Sequence, residues 1–335
     1  MIIDVHAHVS APPELYAYQA NLLASRGGQR KQVLKLDDEK IEKGLKKHLD
    51  FLAEAKTDMQ LLSPRPYTQM HHEKPEKIVA WYIESCNDLI HRQCQLHPNT
   101  FKGVCGLPQS PGGDIKQVIP ELERCVKELG FVGCLINPDP GARGDDTTPA
   151  MGEEYWYPLY EKLVELDVPA MIHSSTCLSC RLNYTLHFIN EESIAVVSLL
   201  NSRVFEDFPK LKIVVAHGGG AIPYQMGRFM AGRYTSRRDI GRKAVSEDRY
   251  FENVAKKLYY DTCLYTAEAL ELLFKVIGPA NCCFGTESPG AGSSINPKTN
   301  RAMDDLKPII EGFDWLSSND KKSIFETNAK KLYKI

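Results

Sequence analysis

The stretch Ile2-Ile3-Asp4-Val5-His6-Ala7-His8 opens the chain with a short β-rich run that carries two histidines one residue apart. Side chains two apart on a strand point to the same side, so both imidazoles face one end of whatever sheet this strand joins. Two neutral imidazoles placed in that way can grip one divalent ion; two histidines near a chain end can also be a chance pair. What decides between these readings is the rest of the chain. Seven further runs read as strands: 59–63, 101–107, 132–136, 170–173, 213–216, 258–261 and 282–284, the first run being 2–5. Helical patterns alternate with them. Residues 40–56 place Ile41, Leu45, Leu49 and Leu52 on one face with Asp37 or Asp38 to cap the start, and 76–94, 122–129, 155–166, 267–277 and 320–332 repeat the pattern. Gly130 and Gly278 stand where helices should stop. Alternation of this kind predicts a parallel sheet with crossover helices, and eight units predict a (β/α)8 barrel.

Two stretches break the rhythm, 10–36 after the first strand and 231–253 after the sixth. Both follow strand ends, so both are expected over the C-terminal face as lids or subunit contacts, the latter in a homo-oligomer. No linker divides the chain, and residues 1–335 read as one barrel domain. A hydrophobic content of 43% with 25% charged residues suits a soluble globular protein. The net charge of −2 offers no electrostatic footprint for nucleic acid or a membrane surface. No apolar run approaches a membrane span, and the polar interruptions in residues 1–9 do not suit a signal peptide, so the start reads as mature protein. The ten cysteines lack a secreted-domain spacing, which favours a reducing cytoplasm; Cys177-x-x-Cys180 has no second pair and reads as chance proximity.

Barrel active sites form at the C-terminal ends of strands, and polar residues gather there. The fifth strand ends in His173, the sixth in His217-Gly218-Gly219-Gly220, the eighth in Gly285-Thr286-Glu287. The glycines fit a tight turn beside a helix start, where backbone N–H groups are placed to receive an anion. Asp261, ending the seventh strand, either orients a ligand histidine or satisfies backbone donors. Asp4 shares a side with His6 if the strand is regular, which puts it in the lower inner layer of the barrel and not among the ligands.

With the opening Asp-x-His-x-His, His173, His217-Gly-Gly-Gly and the terminal Glu326-Thr327-Asn328-Ala329, nearly the whole chain resembles the metal-dependent amidohydrolase superfamily, in the branch of aminocarboxymuconate-semialdehyde decarboxylase. Within that branch, Ser63-Pro64-Arg65, residues 106–111, 121–126, 136–141 and 157–162 are similar in order and spacing to the 4-oxalomesaconate hydratases of aromatic acid catabolism. The decarboxylases typically carry aspartate after the eighth strand and the hydratases glutamate; this chain has Glu287.

The resemblance implies His6, His8, His173 and Glu287 as ligands of one divalent ion, zinc in this reading, which acidifies a water. Glu287 then accepts the water's proton, and His217 polarises the substrate or delivers a proton to carbon. The substrate implied is a small, strongly anionic carboxylic acid, so cations must lie near the metal. Arg65 is the first choice, with His72 and Arg228 next and Asn137 as a hydrogen-bond donor; each has a bland reading as a surface, salt-bridge or turn residue. The basic cluster Arg233, Arg237, Arg238 and Arg242 gathers substrate or forms a solvated lid. After His173, Asn183 or His187 stands in for a substrate-facing histidine that 174–190 does not otherwise supply. The competing functions are a non-oxidative decarboxylase using the same ion and a barrel that binds a ligand without catalysis.

Overall fold

A computed structural model describes residues 1–28, 31, 33–145, 147–234 and 246–335. Eight parallel strands pair in chain order: β1 Ile3–His8, β2 Met59–Ser63, β3 Phe101–Cys105, β4 Gly133–Ile136, β5 Ala170–Ile172, β6 Ile213–Val215, β7 Tyr259–Asp261 and β8 Cys282–Cys283. The end of β8 returns to β1, where the Val5 N–H donates to the Phe284 carbonyl at 2.9 Å and the Glu287 N–H to the His6 carbonyl at 2.7 Å. The fold is therefore the (β/α)8 barrel that the alternation predicted.

Inside the ring Val5, Leu61, Val104, Leu135, Met171 and Val214 form one apolar core. Leu332 and Tyr333 of the last helix close it from below. Asn328 anchors that helix by donating to the Cys282 carbonyl at 2.7 Å and the Pro279 carbonyl at 2.9 Å. Alternate strand positions, such as Leu62, Cys105, Ile136 and Val215, face the helices in a second, larger core. The helix Asp38–Ala55 shows why the outer ring forms. Asp37 caps it by accepting from the Lys40 N–H at 2.8 Å, and Ile41, Leu45 and Leu52 are buried along one stripe. Burying each such side chain is worth about 1.5–3 kcal/mol.

Two features depart from expectation and a third agrees with it. First, β1 is irregular: its register against β2 breaks between Asp4 and Ala7. The two-residue rule linking Asp4 to His6 fails across that bulge. Asp4 is not in the inner layer; its partner Gln60 bonds His48 of the helix Asp38–Ala55 at 2.6 Å, so Asp4 faces the helices. Second, the helix Tyr184–Asn201 fills the region after β5 where no helix was read, because His187, Glu191 and Glu192 interrupt its buried apolar face. Asn183 is its N-cap, accepting from the Leu186 N–H at 2.9 Å, and His187 faces Asp139 at 3.6 Å; neither replaces a substrate-facing histidine. Third, the stretch 10–36 contains the helix Pro13–Ser25, whose Tyr16 and Gln19 line the cavity at the barrel mouth, as a lid would. Of the basic cluster, Arg233 donates to the Leu200 carbonyl, while Arg237, Arg238 and Arg242 lie outside the described residues. Among the described residues no helix is long and apolar enough to cross a membrane.

Candidate active site

The barrel mouth brings His6 and His8 from β1 together with His173 after β5, His217 after β6 and Glu287 after β8. The centroids of the His6 ring lie 5.1 Å from His8, 4.9 Å from His173 and 5.5 Å from His217. Ligand atoms of His6, His173, His217 and Glu287 all lie within 4.8 Å of one another.

Hydrogen bonds fix which ring nitrogen carries the proton in three of these imidazoles. His6 Nδ1 donates to Asp261 Oδ2 at 2.5 Å. His8 Nδ1 donates to Ser63 Oγ at 3.0 Å, and the Ser63 hydroxyl passes its own proton to the Ala7 carbonyl at 2.9 Å. His173 Nδ1 donates to the Ser174 carbonyl at 2.6 Å. Each ring therefore presents a bare lone pair on Nε2, and all three Nε2 atoms are buried without a partner among the described residues. Buried polar atoms are ordinarily satisfied. The orphaned lone pairs of His6 and His173, grouped with Glu287, fit a divalent cation; His8, expected as a third imidazole ligand, has a bare Nε2 at the same mouth but lies outside the 4.8 Å group, which takes in His217 instead. Burial, followed by the neighbouring imidazoles, holds His8 and His173 well below the ordinary histidine pKa, in the neutral form a metal needs.

His217 is wired differently. Burial opposes its charge, but Glu192 and Glu287 outweigh burial and push its pKa well above the ordinary value. Glu192 contacts Nδ1 at 2.9 Å, and Nε2 lies 3.5 Å from Glu287 Oε1. Glu287 is the complement: burial would raise it, yet His217, His6 and His8 hold it well below the carboxylate range. Its other oxygen accepts from the Tyr265 hydroxyl. The turn that delivers His217 needs its glycines, since Gly218, Gly219 and Gly220 all have positive φ, and a Cβ at Gly219 would meet the Tyr260 ring at 2.6 Å. The turn is not an anion cradle: the N–H groups of residues 218–221 donate in order to Asp261 Oδ1, the Ala216 carbonyl, the His217 carbonyl and Ser193 Oγ.

A cavity of about 620 Å³ opens onto His8, His173 and Glu287. Arg65 lines it, steadied by donation from Nε to the Val9 carbonyl at 3.3 Å, and Tyr67, Tyr184 and Phe188 supply apolar wall. The other proposed substrate contacts lie apart from it. His72 faces Glu73 at 3.4 Å, and Arg228 is exposed on the helix Ile222–Arg233. Asn137 is saturated: Nδ2 donates to His71 Nδ1 at 2.9 Å and to Ser175 Oγ at 2.6 Å, while Oδ1 accepts from the Asp139 N–H at 3.1 Å. Sequence reasoning missed Glu192 and Tyr265, which hold His217 and Glu287. Glu192 left one legible signal, a carboxylate on the stripe Phe188, Glu192, Val196, Leu199 at helical spacing.

Comparison with known proteins agrees with this geometry. The family model described as Amidohydrolase matches residues 3–335. A 2-keto-4-carboxy-3-hexenedioate hydratase of Sphingobium sp. is 37% identical, over 99% of this chain and 96% of its own. The crystal structure of 4-oxalomesaconate hydratase from Rhodopseudomonas palustris superposes with a TM-score of 0.86 at 36% identity, covering 100% of this chain and 96% of that one. A dihydroxybenzoic acid decarboxylase from Polaromonas sp., solved with bound manganese, shares the fold at a TM-score of 0.72 and 23% identity, over 99% of this chain and 96% of that one. The chain belongs to the amidohydrolase family.

Proposed function

We propose that this protein is a hydro-lyase that adds water across the carbon–carbon double bond of an unsaturated keto-polycarboxylic acid of the 4-oxalomesaconate type. The observation that carries the reading is the contact between Glu287 and His217 beside three orphaned imidazole nitrogens, in a cavity whose wall includes Arg65. The full-length hydratase relatives support it.

The residues divide the work. His6, His8, His173 and Glu287 would hold one divalent ion, zinc in our reading, which when bound supplies Lewis acidity and lowers the pKa of water. Arg65 pairs with a substrate carboxylate, where a planar fork gives orientation as well as charge. Phe188 and Tyr184 exclude bulk water from the reacting face. Glu287, held ionised, accepts a proton from the adding water at a carboxylate oxygen. His217, held charged by Glu192, gives its Nε2 proton to the neighbouring carbon, and the 3.5 Å contact returns the proton from Glu287 to His217 for the next turnover. Hydroxyl and proton are thus delivered to adjacent carbons, and the enzyme is regenerated unchanged.

Cytoplasmic residence is part of the same reading, supported by ten unpaired cysteines. A homo-oligomer is supported by Leu178, Tyr184 and Leu186, exposed on and before the helix that walls the mouth, and gel filtration tests it. The decisive assay incubates purified enzyme with 4-oxalomesaconate. Loss of the conjugated chromophore without gas is expected; release of carbon dioxide would identify the decarboxylase chemistry of the Polaromonas relative instead. Metal analysis of the same preparation separates zinc from manganese. Glu287→Gln should slow hydration by about 10²–10⁴-fold while three imidazoles keep much of the metal.

A further inference from the structure

On the face of the helix Tyr184–Asn201 next to the one that carries Phe188 and Glu192, a second cluster of ligand types has no role in the reaction above. Asp139, from the loop after β4, meets His187 and Glu191, which are four residues apart on one face of that helix. Their ligand atoms all lie within 4.8 Å of one another. The three residues are 4%, 0% and 7% exposed. Among the described residues neither ring nitrogen of His187 has a hydrogen-bond partner, and its Nε2 stands 3.6 Å from Asp139 Oδ2, beyond hydrogen-bond length.

A cavity of about 530 Å³ adjoins the cluster, and among the described residues its lining carries Asp139, Asp145, Glu153 and Glu191 with no basic side chain. Thr148, 8% exposed, lines the same cavity with a buried hydroxyl that also lacks a partner among the described residues. Asp139 and Glu191 are the buried pair among these acidic residues, and buried carboxylates repel one another unless a cation or a proton joins them. Gly144 wraps the loop over the cluster by donating its N–H to Asp139 Oδ2 at 2.7 Å.

We propose that Asp139, His187 and Glu191 form a second divalent-cation site, which fastens the loop after β4 to the helix Tyr184–Asn201. One imidazole and two carboxylates suit a borderline ion of the Zn2+ or Mn2+ class, with the Thr148 hydroxyl or water completing the shell. The site is structural, and its neighbours are the supports of the mouth. Glu192, next to Glu191, holds His217, and Asn137, two residues before Asp139, holds Ser175 and His71. A cation here would fix the rotation of the helix that positions both Glu192 and Phe188.

The test strips the purified protein with chelator, reloads it with ZnCl2 or MnCl2, removes free ion by gel filtration and counts metal per chain. Wild type should hold two ions, His6→Ala one and Glu191→Gln one. In the His6→Ala background the remaining ion should raise Tm by several degrees, and adding Glu191→Gln should abolish that rise. If Glu191→Gln does not fold, as judged by circular dichroism, Asp139→Asn carries the same comparison. A single wild-type ion that His6→Ala removes, or a count in the folded Glu191 or Asp139 variant equal to wild type, would overturn the proposal and leave a cluster joined by a shared proton.

Discussion

The two sides of β1 treat buried polar groups in opposite ways. On the helix side Asp4 accepts four bonds, from the N–H groups of His6 and Thr286, from Gln60 Nε2 and from the Thr286 hydroxyl. Gln60 passes on to His48 Nε2 at 2.6 Å, and His48 Nδ1 reaches Ser10 at 3.0 Å, so that strut is complete. At the mouth, two residues further along the strand, His6 and His8 satisfy one ring nitrogen and leave the other bare. Desolvating an unpaired nitrogen costs about 1–3 kcal/mol, and three bare nitrogens at one barrel mouth would be a steady loss without a ligand. The contrast separates residues that build the barrel from residues held ready for something the chain does not itself supply.

Substitutions on the two sides should therefore fail in different ways. His173→Ala removes a lone pair from the mouth, and the expected result is more than a 100-fold loss of metal affinity together with the hydration rate, since even outer partners of metal ligands are worth about 10–100-fold. Retention of the full wild-type ion count through dialysis in that variant would break the assignment. Glu192→Gln leaves the lone pairs intact but withdraws the charge that keeps His217 protonated; kcat should fall about 100-fold with metal content unchanged. Asp261→Asn can still accept from His6 only by turning its amide NH2 toward the Gly218 and Cys263 N–H groups, and it loses the negative charge, so metal affinity should weaken by about 10–100-fold, read by competition with a chelating dye. An Asn variant that binds metal as tightly as wild type would show that the charge of Asp261 does not act on the metal.

How much of this was legible before folding depends on periodicity. His6, His8, His173, His217 and Glu287 follow strand-like runs, and the barrel rule then places them together. Asp4 misled because a bulge is not encoded in a two-residue alternation: the register break lies between Asp4 and Ala7, inside the motif itself. The helix Tyr184–Asn201 was invisible for a related reason. Three buried polar residues, each satisfied or clustered by a distant partner, sit where the pattern needs apolar ones. His72 and Asn137 show the remaining gap, since chain proximity to a strand end does not say whether a polar group turns to the cavity or to the scaffold. It is His71, not His72, whose ring joins the Leu107 carbonyl at 2.9 Å to Asn137.

The strut side gives the smallest effect and a clear sign. Burial pushes His48 down to about 4, from an ordinary value near 6.5, with the Gln60 hydrogen bond working against that shift. Well above pH 6.5 the ring is uncharged in both the folded and the unfolded chain, so it contributes no pH dependence there. As pH falls below 6.5 the unfolded chain takes up a proton that the folded protein refuses until about pH 4, so stability drains away across that window. Between pH 7 and pH 5 the loss amounts to about 2 kcal/mol. His48→Gln should be less stable at pH 7 by about 1 kcal/mol for the poorer hydrogen-bond fit, yet its decline toward pH 5 should be shallower than that of wild type by about 2 kcal/mol. Urea midpoints at the two pH values make the measurement. Parallel declines would mean that the histidine is charged inside the folded barrel, and that the strut is less completely sealed from water than its hydrogen bonds imply.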